Sequence, residues 1–218
     1  VPPRRPSGRW WPQMQQAIST AKSGAIGDVW QVRYRAAHQG PAEVGCSEFF
    51  CDWLFDPKRN GPGGAFMDYC CYGALLAQVL LGRPDSVWAT ADQLVKTAAC
   101  PVADNAVLVM KYRRGIAMSE GSWSQIGKLS AYLTMIYGTR GTLLLEPRHG
   151  GRLLLATEDN EEGAEVPVPK PAAELANPVA HFVHGIETGA AFWALCDPDV
   201  GRDTQEILER GVACLETK

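Results

Sequence analysis

Residues 104–123, DNAVLVMKYRRGIAMSEGSW, alternate in polarity on either side of Arg114-Gly115. Period two is the mark of half-buried strands, and a glycine-containing break between two such runs is the mark of a hairpin. The same pattern recurs on both sides. DSVWATADQLV (85–95) precedes the hairpin, and LSAYLTMIYGTRGTLLLE (129–146) and GRLLLATE (151–158) follow it, with Arg140-Gly141 as a second turn. Further upstream, AIGDVWQVRYRAAH (25–38) sets Val29, Gln31, Arg33 and Arg35 against Trp30, Val32, Tyr34 and Ala36.

Helical spacing appears around this block. In RWWPQMQQAISTAKS (9–23), Trp11, Met14, Ile18 and Ala21 share a face and Gly24 is a stop. Residues 65–81 form the strongest helix, with Gly-Pro-Gly-Gly before it and Gly82 and Pro84 after it. A Gly- and Pro-rich loop, broken by SEFFCDWLF, leads into it. Residues 158–178 are polar and carry four prolines, which predicts an exposed connection with room for one short edge strand. Two helices are expected at the end, VAHFVHGIETG (179–189) and RDTQEILERGVACLE (202–216), the latter with Asp203 as its N-cap. A block of strands edged by helices predicts an α+β fold: an open, mostly antiparallel sheet with helices packed on one face. The second face needs a cover, from an oligomer contact or another domain.

The chain has 218 residues and 46% hydrophobic content, enough for one sizeable core. Charge is nearly balanced, 21 basic against 24 acidic, with no basic stripe to hold nucleic acid. No apolar run reaches membrane-spanning length. The seven cysteines, Cys46, Cys51, Cys70, Cys71, Cys100, Cys196 and Cys214, are irregularly spaced without C-x-x-C. Free thiols in a reducing cytoplasm are expected, ahead of a redox role for the adjacent Cys70 and Cys71. His181 and His184 share a helix face, but nothing at metal spacing completes a site, so no metal is expected. There is no G-x-G-x-x-G and no P-loop.

Within the strongest helix, Asp68 and Tyr72 are four apart and so point the same way. An acid on a core face is costly unless it is paired or used. One reading makes Asp68 a brace for the glycine turn and Tyr72 a core residue with its hydroxyl bonded. The other makes them a polar pair at a cleft.

Five stretches in order resemble the C-terminal domain of the Gfo/Idh/MocA family, the glucose–fructose oxidoreductases and inositol dehydrogenases. They are SGAIGDVWQVR, WLFDPKRNGPGGAFMDYCCYGALLAQVLLGRP, DNAVLVMKYRRGIAMSEGSW, IYGTRGTLLLE, and HFVHGIETG with CDPDVGRDTQEILERGVAC. The likeness covers nearly all of residues 9–215. It implies a dihydrodipicolinate-reductase-like open sheet whose exposed face makes a homo-oligomer contact. It also implies an NAD- or NADP-dependent oxidoreductase acting on a sugar, cyclitol or related polyol. The cofactor would be bound mainly by an N-terminal Rossmann domain. Residues 1–218 are then expected to be a single substrate-binding and oligomerisation domain lacking that half, inactive alone and cytoplasmic. A non-catalytic interaction module derived from the same family is the alternative.

The family's D-x-x-x-H motif falls on Asp68 and Tyr72, which the resemblance makes the catalytic candidates, with Tyr72 standing where the family has histidine. Removing a hydride from an alcohol carbon also requires removing the hydroxyl proton. Tyrosine, with an ordinary pKa of about 10, suits a proton donor or relay better than a base. Trp53 offers an aromatic face to a sugar ring, with a core tryptophan as the alternative. The family's frequent Trp-Arg reads Trp53-Leu54, so the resemblance leaves an arginine contact to substrate either missing or replaced by Lys58 or Arg59. Lys58 and Arg9 are candidates to meet a polyol or a cofactor phosphate, or are surface charges. His38 ends the first strand, at a cleft edge or in water. Gly63 and Gly64, before a helix, are the cofactor-binding candidates, with a tight turn as the alternative.

Overall fold

The structure is a computed structural model, and it describes residues 10–96, 100–146 and 151–216. Eight strands form one sheet: β1 (Val29–Ala37), β2 (Ser86–Asp92), β3 (Asn105–Tyr112), β4 (Gly115–Ser122), β5 (Tyr132–Gly138), β6 (Gly141–Leu145), β7 (Leu153–Thr157) and β8 (Asn160–Glu165). Their order is β2-β3-β4-β1-β5-β6-β7-β8. Only β1 and β4 run parallel, because β1 is separated from β4 by the helices and the β2–β3 hairpin. Every other neighbouring pair is antiparallel. The α+β expectation holds, and the predicted edge strand in the proline-rich connection is β8.

Among the described residues six α-helices accompany the sheet: α1 (Pro12–Lys22), α2 (Glu48–Leu54), α3 (Pro57–Asn60), α4 (Cys71–Leu81), α5 (Pro178–Thr188) and α6 (Pro198–Leu215). On one face, α4 lies across β1 and β4, α6 lies against α4 and β2, and α1 meets β6. Alternation sends Ala106, Leu108, Met110 and Tyr112 of β3, Ala117 of β4, Ile136 of β5 and Leu143 of β6 under these helices. Leu108, Met110, Ile136 and Leu143 are wholly buried, each stabilising the fold by roughly 1.5–3 kcal/mol.

Among the described residues the other face carries no helix. Across it the register lines up Trp88, Val109, Met118, Arg33, Met135, Leu144 and Leu154 in a single row. Most of this row is half-buried, and Trp88 is 57% exposed. Glu120 sits near its centre between Arg33 (3.4 Å) and Arg35 (2.8 Å).

Two local expectations are corrected. Asp203 is not an N-cap. The last helix begins earlier, at Pro198, whose fixed φ suits a first helical position, and Asp197 caps it by accepting from the N–H groups of Asp199 and Val200. Asp203 lies mid-helix and pairs with Arg83 and Arg202. The central helix is not uniform either. Its first turn, Phe66–Cys70, is π-helical, and α geometry begins only at Cys71. Gly121 lets this wide turn rest on β4: a Cβ there would stand 2.6 Å from the Ala65 carbonyl oxygen. SEFFCDWLF, which breaks the Gly- and Pro-rich loop, is largely α2, capped by the Ser47 hydroxyl.

None of the seven cysteines forms a disulfide among the described residues. Cys70 and Cys71 diverge, Cys70 donating to the Ser119 carbonyl oxygen and Cys71 to that of Asp68. Burial pushes the Cys70 thiol up to about 12, which keeps it protonated and unreactive.

Candidate functional site

The C-terminal ends of β1 and β4 meet the π-helical turn, and Asp68 sits in that turn, half-buried. A π turn accommodates one more residue than an α turn, a geometry frequent at functional sites. Just past β4, Trp123 is wholly buried, and its indole N–H donates to Asp68 Oδ2 at 3.0 Å. Burial pushes the Asp68 carboxyl above its ordinary range, and the Trp123 hydrogen bond acts in the opposite sense. The result is a carboxylate more basic than usual, as proton-accepting chemistry requires.

Two tyrosines, Tyr34 and Tyr69, are within electrostatic reach of it. Tyr34 of β1 feels the charges of both Asp68 and Tyr72, and burial pushes its phenol well up. The Tyr34 and Tyr72 rings lie 6.3 Å apart. Tyr69 shares a hydrogen bond with Tyr132 of β5, and burial pushes it well up too. His38 stacks edge-on against Tyr69 at 5.3 Å, and its Nδ1 accepts from the Gly40 N–H. Burial lowers the His38 pKa, with Lys96 adding to the effect and Glu43 opposing it, so this imidazole is neutral at pH 7. Cys46 also lies within electrostatic reach of Asp68.

A second carboxylate organises the rim. Asp104 is wholly buried at the start of β3. It accepts from the N–H groups of Leu94 (2.7 Å), Val95 (3.0 Å) and Lys96 (2.8 Å) and from the Ser124 hydroxyl (2.5 Å). Burial alone would raise it, but these donors outweigh burial and hold it at about 2. The segment it folds brings Lys96 to Glu43. The Asp104 backbone oxygen accepts from the Trp123 N–H at 2.7 Å.

The structure therefore brings Asp68, Tyr72 and His38 to one end of the sheet. Trp53 lies on α2, 37% exposed and beside Phe50. Lys58 is exposed on α3, where its backbone N–H is bound by the Asp56 cap. Arg9 lies outside the described residues. Gly63 and Gly64 are buried. Gly64 has φ +48°, and a Cβ there would stand 2.2 Å from the Ala103 carbonyl oxygen. That space is taken up by the protein's own backbone. Among the described residues no cluster of three metal-binding side chains occurs, and no helix is long and apolar enough to cross a membrane. An apolar hollow of about 270 Å³ lies between α6 and the Gly61–Met67 segment, and Asp68 does not line it.

Sequence reasoning missed Trp123, Tyr34, Tyr69, Tyr132 and Asp104. They lie at five separate places in the chain and converge only through strand register and the π turn. The one available signal was Asp68 itself, an acid in an apolar helix that had to have a partner.

The family model described as the GFO/IDH/MocA C-terminal domain matches residues 14–144. Solved structures share the fold. Levoglucosan dehydrogenase, in complex with NADH and levoglucosan, is 19% identical with a TM-score of 0.77, over 96% of this chain and 62% of that one. An inositol dehydrogenase homolog from Azotobacter vinelandii, complexed with NAD+, is 18% identical with a TM-score of 0.72, over 96% and 61%. An oxidoreductase from Agrobacterium radiobacter, in complex with NAD+, L-tartaric acid and magnesium, is 16% identical with a TM-score of 0.73, over 96% and 61%. The chain thus spans 61–62% of the length of these structures. No curated protein sequence matches it. The family match covers more than half of the chain and the eight-stranded open sheet agrees with it, so the chain belongs to the Gfo/Idh/MocA family, as its C-terminal domain.

Proposed function

We propose that this domain is the substrate-binding and assembly lobe of an NAD- or NADP-dependent oxidoreductase acting on a CH–OH group of a sugar, cyclitol or related polyol. The observation that carries this reading is Asp68: a half-buried carboxylate with raised basicity, held by one neutral donor and within electrostatic reach of the Tyr34 and Tyr69 phenols. A neutral polyol presents hydroxyls that such acceptors and donors match, and aromatic faces suit its C–H groups. Asp68 receives the substrate hydroxyl and orients it. Tyr72, whose ring lies beside Tyr34, serves as a proton donor or relay. His38, Trp53 and Lys58 border the substrate, and Arg9 is assigned to it from sequence alone. A nicotinamide cofactor supplies hydride exchange when bound. We assign its phosphates to a Rossmann domain preceding this one, with Gly63 and Gly64 offering at most backbone contact. The solved relatives carrying NAD+ or NADH, each longer than this chain, support that assignment.

The helix-free sheet face is the assembly surface for a second copy. Its mostly apolar row spans seven strands, and at its centre, where Arg33 interrupts it, the buried Arg33 Nε has no hydrogen-bond partner among the described residues. Seven cysteines without a disulfide among the described residues are in keeping with a cytoplasmic protein. The replacement of the family histidine by Tyr72 favours a second reading, a non-catalytic interaction module.

The test uses the complete polypeptide. Asp68→Asn should lower turnover on polyols by about 10²-fold or more while the protein stays folded, and Tyr72→Phe should lower it by removing one hydroxyl. Unchanged turnover in Asp68→Asn removes that residue from the mechanism, and no dehydrogenase activity in the wild type favours the interaction module.

A further inference from the structure

Resting on the reading of Asp68 as the substrate's acceptor, we infer that Trp123 is its positioning residue, a buried neutral donor that fixes one carboxylate oxygen and keeps the group charged with the other oxygen free for substrate. An indole has one polar atom, an N–H that donates and cannot accept. Wholly buried, it needs an acceptor, and Asp68 Oδ2 at 3.0 Å is the acceptor it has. The ring cannot swing away. It packs edge-on against Phe55 at 5.7 Å and lies in one apolar cluster with Ala36, Leu54, Ala65 and Tyr69. Its backbone is pinned by the Asp104 carbonyl oxygen at 2.7 Å.

The chemistry of the donor matters as much as its place. An arginine or lysine in this position would pair with Asp68 and pull its basicity far down. A hydroxyl could turn away or accept instead. The indole stabilises the carboxylate without neutralising it and without offering a proton it can lose. It works against the desolvation that Asp68 suffers in the π turn. The other titratable groups facing the site are the phenols of Tyr34, Tyr69, Tyr72 and Tyr132 and the Cys46 and Cys71 thiols. His38 touches Tyr69 rather than Asp68, and Lys96 is paired with Glu43. Trp123 is therefore the group that opposes protonation of Asp68.

The test is NMR on the domain as it stands, with the indole labelled with ¹⁵N and the carboxyls with ¹³C. The Trp123 indole N–H resonance and the Asp68 carboxyl should move with pH through one shared midpoint, and Asp68→Asn should abolish the indole's movement. Trp123→Phe, which keeps the aromatic bulk, should move the Asp68 midpoint upward. If that variant does not fold, the wild-type co-titration still decides. Separate midpoints, or an Asp68 midpoint unmoved in a folded Trp123→Phe, overturn the inference. In the complete enzyme the acid limb of the kcat/KM profile should shift upward by the same amount in Trp123→Phe. A moved NMR midpoint with an unmoved rate profile upholds Trp123 as the residue that sets Asp68 and refutes Asp68 as the catalytic acceptor.

Discussion

Asp104→Asn offers the most quantitative test of how the site's rim is built. The wild-type carboxylate accepts three backbone N–H groups and one hydroxyl while wholly buried. Its displacement from the ordinary 3.8 to about 2 corresponds to on the order of 2 kcal/mol of folding stability. An asparagine has one oxygen where the acid had two. If that oxygen takes the place of Oδ2, its NH₂ faces the Leu94 N–H, donor against donor, for a further 1–3 kcal/mol or so. The expected loss is therefore about 3–5 kcal/mol at pH 7, measured by urea unfolding of both proteins. The pH dependence is the sharper signature. A carboxyl held low in the folded state contributes its stability above the unfolded value near 4 and loses it as pH falls through about 2. The gap between wild type and variant should therefore narrow as pH falls from 5 toward 2. A loss under about 1 kcal/mol, or a gap constant between pH 7 and 2, would refute the reasoning.

Asp68 should behave in the opposite sense. Burial raises it, so its ionisation weakens the fold as pH rises past the unfolded carboxyl value. Asp68→Asn should be neutral to stabilising at pH 7 by thermal melting, with any gain vanishing at low pH. A marked loss at pH 7 would make Asp68 a structural brace. Gly64→Ala should destabilise by about 3 kcal/mol or more, from left-handed backbone at φ +48° and the Ala103 carbonyl oxygen in the way, and a melting temperature within a degree of wild type would contradict this. On the open sheet face, Met118→Glu places a charge in the centre of the apolar row. Sedimentation should then give a 23.7 kDa monomer from a wild type that associates, and equal association in both would clear this face of the role.

The arrangement separates the two faces of the sheet. The helix-covered side builds the core and aims the π turn, and the bare side carries the mostly apolar row that we propose meets a partner. Both follow from one alternation, because in a strand each successive side chain goes to the opposite face. A substitution that relocates Asp68 should therefore leave assembly intact, and Met118→Glu should leave the Asp68–Trp123 hydrogen bond in place.

Period two in residues 85–158 and the Gly-Pro-bounded helix determined by themselves that this is an open sheet with helices beside it. Such patterns are local: each strand's alternation and each helix's caps sit within a few residues of one another. Family membership was legible for the same reason, in five ordered stretches. Asp68 was legible as an anomaly, a charge in an apolar helix. Its partner was not, since Trp123 stands 55 positions away and only the packing of the π turn on Gly121 brings the two together. The start of α6 was misread because Asp203 and Asp197 are both plausible caps, and Pro198 decides between them through its fixed backbone. The tertiary structure alone decided which acid became a cap, which a buried bracket and which a basic carboxylate at the sheet's end. A carboxylate's role depends on the donors that reach it and the water it loses, and both are set by chain segments far apart in sequence.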